Sequence, residues 1–294
     1  MKWSECIKER MDQIQKKEEE QKMRKTLLIT MITVMIGMVS IMQSFAYPAF
    51  SLPAGPVVIK YQNWEELLRK NADGNLVQVP IGGAIAVGDE LVGLLRVTSI
   101  TDLAANPLWS QGGASGYITG DFTNLFVSSI TPITSGFEIH FTGGQMSLFL
   151  DSNAPGNPAT PFPVGYLDGE TFLTANFNYG ILPGDFNTTQ LSDVNALSSP
   201  LSGTGFFYLD VTGGDYAGLF DSNGYPVFDG SKRDLSGKSE ISNSDPTFNP
   251  GFGFNYTSDD PVMANVVPEP GTLLLLGAGL LGLGGFARKR AKKS

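Results

Sequence analysis

Two residue types that carry much of protein chemistry are almost missing: the 294-residue chain has one cysteine and one histidine. Cys6 lies upstream of an apolar segment that reads as an export signal, so the part beyond it has no thiol. That excludes disulfides, cysteine-ligated zinc and a cysteine nucleophile there. A disulfide-free exported domain fits a bacterial periplasm or surface, and its size makes staples unnecessary. A metalloprotease HExxH site needs two histidines, and no Gly-x-Ser-x-Gly elbow is present, so His140 has no obvious nucleophile to serve. Positive charge is also scarce: residues 47–267 carry seven Lys/Arg against 22 Asp/Glu, leaving that stretch near −15. Such a surface repels phosphate backbones, which excludes nucleic acid as a partner.

The chain ends differ from this body. Residues 1–22 are charge-dense without a continuous apolar face and read as a solvated extension or a misassigned start, with Met23 the alternative initiator to Met1. Residues 23–46 begin with Arg24 and Lys25, run apolar from Leu27 to Met42 and finish Ser44-Phe45-Ala46, the layout of a secretory signal peptide cleaved after Ala46. The same run is long enough to serve instead as an uncleaved anchor. At the other end, the apolar run 272–287 is a transmembrane helix of about 24 Å, a short span of the hydrocarbon core. Arg288, Lys289, Arg290, Lys292 and Lys293 follow it at once, and no Lys or Arg lies between 239 and 287. The positive-inside bias then leaves the tail in the cytoplasm and the acidic body outside. Five glycines within the run permit close packing against another membrane protein and lower helix propensity, as suits a temporary anchor.

Val267, Pro268, Glu269, Pro270 and Gly271, then a Leu/Gly membrane segment, then an Arg/Lys cluster, resemble the PEP-CTERM sorting signal over residues 267–292. That tail is also catalogued as the ice-binding protein C-terminal domain, without implying ice binding. The resemblance implies processing by an exosortase, a membrane peptidase, after passage through the secretion machinery, with delivery to the cell surface or an exopolysaccharide matrix. By that analogy Pro268, Glu269 and Pro270 are recognition residues. Physically, two prolines keep the strip extended and out of the following helix, open to a peptidase.

Between the ends, residues 47–258 read as one all-β domain, an antiparallel β-sandwich of jelly-roll character, with 259–266 as a spacer. Asn63 to Lys70, with a cap, early acids and late bases, predicts a short N-terminal helix. Residues 136–150 alternate apolar positions on either side of Gly143-Gly144, which predicts a hairpin turning at the glycine pair. Further strands are expected at 76–80, 84–87, 90–100, 115–119, 123–130, 171–178 and 204–212, and the Gly/Asx-rich stretch 213–263 is expected to loosen.

No catalytic residue and no metal site is assigned. His140 shares a strand face with Glu138 and Thr142 and reads as solvent-facing. A glycosidase needs two suitably spaced carboxylates, for which Asp121, Glu138, Asp168 and Glu170 are candidates. Calcium is the cation best matched to the oxygen-rich fragments at Asp185/Asn187, Asp193/Asn195 and Asp221 to Gly224, yet each departs from the EF-hand pattern and is explained by Asx turns. Trp64, Trp109, Phe162, Tyr166, Tyr179, Phe206 and Tyr216 are candidates for stacking on sugars, with core packing the simpler account. The expectation is an exported, non-enzymatic surface or matrix protein; the alternatives are a carbohydrate-binding or calcium-assisted adhesion module and a carboxylate-dependent polysaccharide hydrolase.

Overall fold

The computed structural model describes residues 50, 52–80, 83–156, 165–195, 202–242, 256–267, 277 and 279. The chain divides into units Met1–Ala49 and Phe50–Ser294, and everything described belongs to the second. Its strands are β1 (Gly55–Lys70), β2 (Leu76–Gln78), β3 (Glu90–Asp102), β4 (Pro107–Ser110), β5 (Tyr117–Ile133), β6 (Gly136–Asp151), β7 (Glu170–Asn178), β8 (Gln190–Asn195), β9 (Ser202–Gly213), β10 (Tyr225–Pro226), β11 (Lys232–Arg233), β12 (Leu235–Ser242) and β13 (Tyr256–Val266). One short helix, α1 (Ala217–Phe220), follows β9.

Antiparallel pairing runs β1–β3–β5–β6, then through β7 and β8 to β9, β12 and β13, and returns to β1. The sheet therefore closes on itself as a meander. Strands β7 and β8 are two halves of one wall position: β7 pairs with residues 145–150 of β6 and β8 with 136–141. Residues 179–189 leave the wall between them. A closed ring has no long edge strand; among the described residues the short β2 and β4, each paired on one side only, to β1 and β3, remain as edges.

Inward positions alternate as period-two geometry demands. Val57, Ile59, Asn63, Glu65 and Leu67 of β1 are buried, as are Phe207 and Leu209 of β9 and Val262, Ala264 and Val266 of β13. Large rings meet missing side chains: a Cβ on Gly93 would stand 2.6 Å from the Phe122 ring. The barrel is consequently filled, with a cavity of about 60 Å³ lined among others by Ile59, Phe122, Phe177 and Phe207, and a second of about 40 Å³ beside Glu65 and Tyr256.

The all-β, antiparallel expectation holds; the finer expectations need correction. Instead of two sheets facing each other as a sandwich or jelly roll, the described strands of the body form one ring plus the small β10–β11 hairpin, because β1 pairs on both edges. The predicted helix 63–70 is the second half of β1: local capping signals lose to burial of alternate residues between β3 and β13. Gly143-Gly144 is no hairpin turn. Both glycines have positive φ (77° and 100°) within continuous β6, opposite Asn124 (φ 60°), and kink the strand where β7 gives way to β8. The chain turns instead at 134–135, so the strands expected at 115–119 and 123–130 are one, β5. Residues 84–87 form no strand. The stretch expected to loosen, 213–263, contains β12 and most of β13, and the expected spacer 259–266 lies in β13, the strand that completes the ring.

Candidate functional site

One rim of the barrel gathers both ends of the domain. Strand β1 starts there and β13 stops there, with Gly55 paired to Val266. Beside them the Phe50 ring, 8% exposed, packs on Phe172 (centroids 4.9 Å apart), Tyr216 (5.2 Å) and Trp109 (6.3 Å), and Phe172 continues to the fully buried Phe220. This aromatic cap covers the interior at the rim. On the C-terminal side Val266 is 3% exposed, and the Val267 N–H donates to the carbonyl of Leu219 in α1 at 2.9 Å. A helix of one turn can sit here because Tyr216 and Asp215 donate their N–H groups to the carbonyls of Phe172 and Thr171, and Asp234 accepts from the N–H groups of Val211 and Asn223.

Of the expected sorting residues, Val267 is therefore placed, at the rim. Pro268, Glu269, Pro270 and Gly271, the cleavage residue Ala46 and the basic cluster Arg288, Lys289, Arg290, Lys292 and Lys293 lie outside the described residues. So does the expected span 272–287, apart from Gly277 and Gly279, which are helical. Among the described residues no helix is long and apolar enough to cross a membrane.

Two polar clusters are built elsewhere. Inside the barrel, Glu65 Oε1 accepts from Asn63 Nδ2 (2.7 Å) and from the Ser258 hydroxyl (2.9 Å), while the Ser258 N–H donates to Asn63 Oδ1 (2.9 Å). Burial pushes the Glu65 carboxyl up to about 6, against the opposing pull of these hydrogen bonds. Outside, where residues 179–189 leave the wall, His140 is tied on both ring nitrogens: Nε2 to Glu138 Oε1 at 2.8 Å and Nδ1 to the Thr188 hydroxyl at 3.0 Å. Thr188 donates its own proton to Asp185 Oδ2 at 2.6 Å, so Glu138, His140, Thr188 and Asp185 form one continuous chain of contacts. That hydroxyl, with the Asn187 and Thr188 N–H groups, holds Asp185 below the usual carboxylate range. His140 is thus half-buried and pinned, not simply solvent-facing.

The carboxylates weighed for hydrolysis are not brought together. Asp121 and Glu138 occupy adjacent strands, but Asp121 pairs with Ser147 and Glu138 with Thr131, roughly 30 Å apart along the wall. Asp168 and Glu170 stand at the rim where β7 begins. The oxygen-rich fragments are likewise dispersed: Asp185 is consumed by Thr188, Asp193 faces outward on β8, and Asp221 follows α1. No group of three ligand side chains suited to a metal occurs among the described residues. Trp64, Trp109 and Tyr166 are core, Tyr216 belongs to the aromatic cap, Phe206 is 41% exposed on β9, and Phe162 lies outside the described residues.

Tyr179, a candidate from the sequence, joins two rings that sequence reasoning missed in a chain Tyr179–Phe186–Phe228, with centroids 5.3 and 5.5 Å apart and Phe186 56% exposed. The Arg233 guanidinium lies 4.5 Å from the Tyr179 ring centroid and 3.5 Å from Asp210. No local pattern announces this group, since Phe228 joins Tyr179 and Phe186 from a separate segment.

No curated protein and no solved structure matches the chain. Residues 266–290 do match a family, the PEP-CTERM protein-sorting motif, and that match begins on Val266, the last residue of β13. The barrel thus passes without a break into a PEP-CTERM sorting tail.

Proposed function

We propose that this is an exported, non-enzymatic protein of the cell surface or extracellular matrix, released from its membrane tail by an exosortase. The observation that carries this reading is the seam at Val266 and Val267: the ring is complete where the motif starts, so removal of everything from Pro268 onward takes no strand from the barrel. The cavities between the apolar side chains hold only about 60 and 40 Å³, and a larger space of about 500 Å³ beside Ile133, Asp193, Thr204 and Glu240 is an open cleft; an interior without room for a substrate supports a structural role. The test is to express the full chain in matched strains with and without an exosortase, fractionate the cells and follow the protein by size. A shortened form at the surface or in the medium only when the enzyme is present supports the reading. Permanent retention of the full-length, tailed form in the membrane of the enzyme-bearing strain refutes it.

The Tyr179–Phe186–Phe228 chain favours a second reading, a carbohydrate-binding module within the same exported protein, because Phe186 and Phe228 expose apolar ring surface on which a sugar can lie. Glycan pull-down with wild type and Phe186→Ala, with and without chelator, separates this reading from a purely structural role and from calcium-assisted adhesion.

A further inference from the structure

We propose that the rim where both chain ends leave the barrel is itself a docking surface for the sorting peptidase, so that the enzyme reads the folded barrel together with Pro268, Glu269 and Pro270. This rests on the sorting role proposed above and adds a partner surface to it.

Chain length argues first. Val267 is held by Leu219, and the apolar run opens at Thr272, five positions on, a reach of at most about 17 Å even fully extended. An enzyme working at the membrane face cannot grip the Pro-Glu-Pro strip at that distance without touching the rim. Slack is not available from β13: Ala264 is 0% exposed and Val266 3%, and peeling them away would open the ring along its β1 seam.

Charge then selects the partner. The exposed carboxylates of Asp168, Glu170, Asp215 and Asp221 stand on the β7, β9 and α1 side of this rim, against a single exposed cation there among the described residues, Lys232. The rim is negative, which disfavours an anionic lipid surface and complements a basic protein face. An exposed leucine stands on each flank, Leu103 at 61% and Leu167 at 49% exposure, so the surface also offers apolar contact.

The experiment follows processing of the full chain by pulse-chase in an exosortase-bearing strain. A flexible Gly-Ser segment of about eight residues inserted between Val267 and Pro268 uncouples motif from rim without altering the barrel. The double variant Asp168→Asn with Asp215→Asn removes two of the rim's charges, Asp73→Lys at the opposite end makes the same change in net charge, and Glu269→Ala reports on the motif itself. Trypsin resistance of the body verifies folding in each case. The insertion and the rim variant should each slow processing at least about fivefold, the effect of losing roughly 1 kcal/mol of docking energy, while Asp73→Lys proceeds at the wild-type rate. Wild-type or faster processing of the insertion overturns the proposal. So does a rim variant processed at the Asp73→Lys rate, or faster, as contact with anionic lipid would give. If Glu269→Ala is also processed normally, the sorting role itself fails; if it is blocked while the rim variants are processed normally, only the docking surface fails.

Discussion

Glu65 Oε1 on the first barrel strand lies 2.9 Å from the Ser258 hydroxyl on the last, a hydrogen bond between residues 193 positions apart in a wholly buried setting. The free carboxyl favours this site in its protonated form. With a folded pKa of about 6 against an ordinary value of 4.5, its contribution is present in full below about 4.5 and is lost as pH rises through about 6. The loss is on the order of 2 kcal/mol. Glu65→Gln keeps the acceptor and removes the ionisation, so its melting temperature should exceed wild type by roughly 4–8 °C at pH 8 and match it at pH 4. A difference that does not change with pH would show that burial of the charge is not its cause.

Gly144 combines φ of 100° with a would-be Cβ 2.7 Å from both Leu125 and Phe177, whereas Gly74 at φ 81° has open space around it. Gly144→Val should cost about 3 kcal/mol or more through strain and clash, and Gly74→Ala only about 1 kcal/mol through strain alone. Urea midpoints at equal m-value measure both.

Asp185 ties residues 186–189 to the wall through Thr188 and His140. Because its folded pKa is depressed, this tie is present above the usual carboxylate range and is lost as pH falls through the lowered value. Asp185→Ala at neutral pH and wild type under acid should therefore both lose amide protection at Asn187 and Thr188, read by hydrogen exchange, while β6 amides stay protected. Unchanged protection in Asp185→Ala would mean that the excursion is held by its aromatic contacts alone.

Phe50 precedes the first strand yet is 8% exposed at the centre of the aromatic cap. Phe50→Ala should destabilise the barrel by about 3 kcal/mol, measured by calorimetry on the body without its tail. Stability equal to wild type would place the boundary of the fold at Gly55.

The period-two pattern made most strands legible, including β3, β7 and β9 almost to the residue, because each buries one face. Topology was not legible. Whether alternating strands stack as two sheets or close as one depends on the pairing of β1 with β13, about 200 positions away, which leaves no local trace. Asn63 to Lys70 misled because its apparent cap and ordered charges are genuine helix signals, overridden by neighbours on both sides. The glycine pair misled as well, because a kink and a turn make the same demand for positive φ. At the rim, the motif was readable as residue types in order; its anchoring through Leu219 was not, since that contact is a backbone hydrogen bond without side-chain preference.

Ring closure by the first and last strands also sets a clock. Residues 55–65 wait for 256–266, so no stretch emerging earlier from the export channel can complete the barrel. Contacts of such sequence separation form slowly, which keeps the chain threadable until nearly all of it has crossed. In the export proposed above, closure of this one seam would thus fall after most of the chain has crossed.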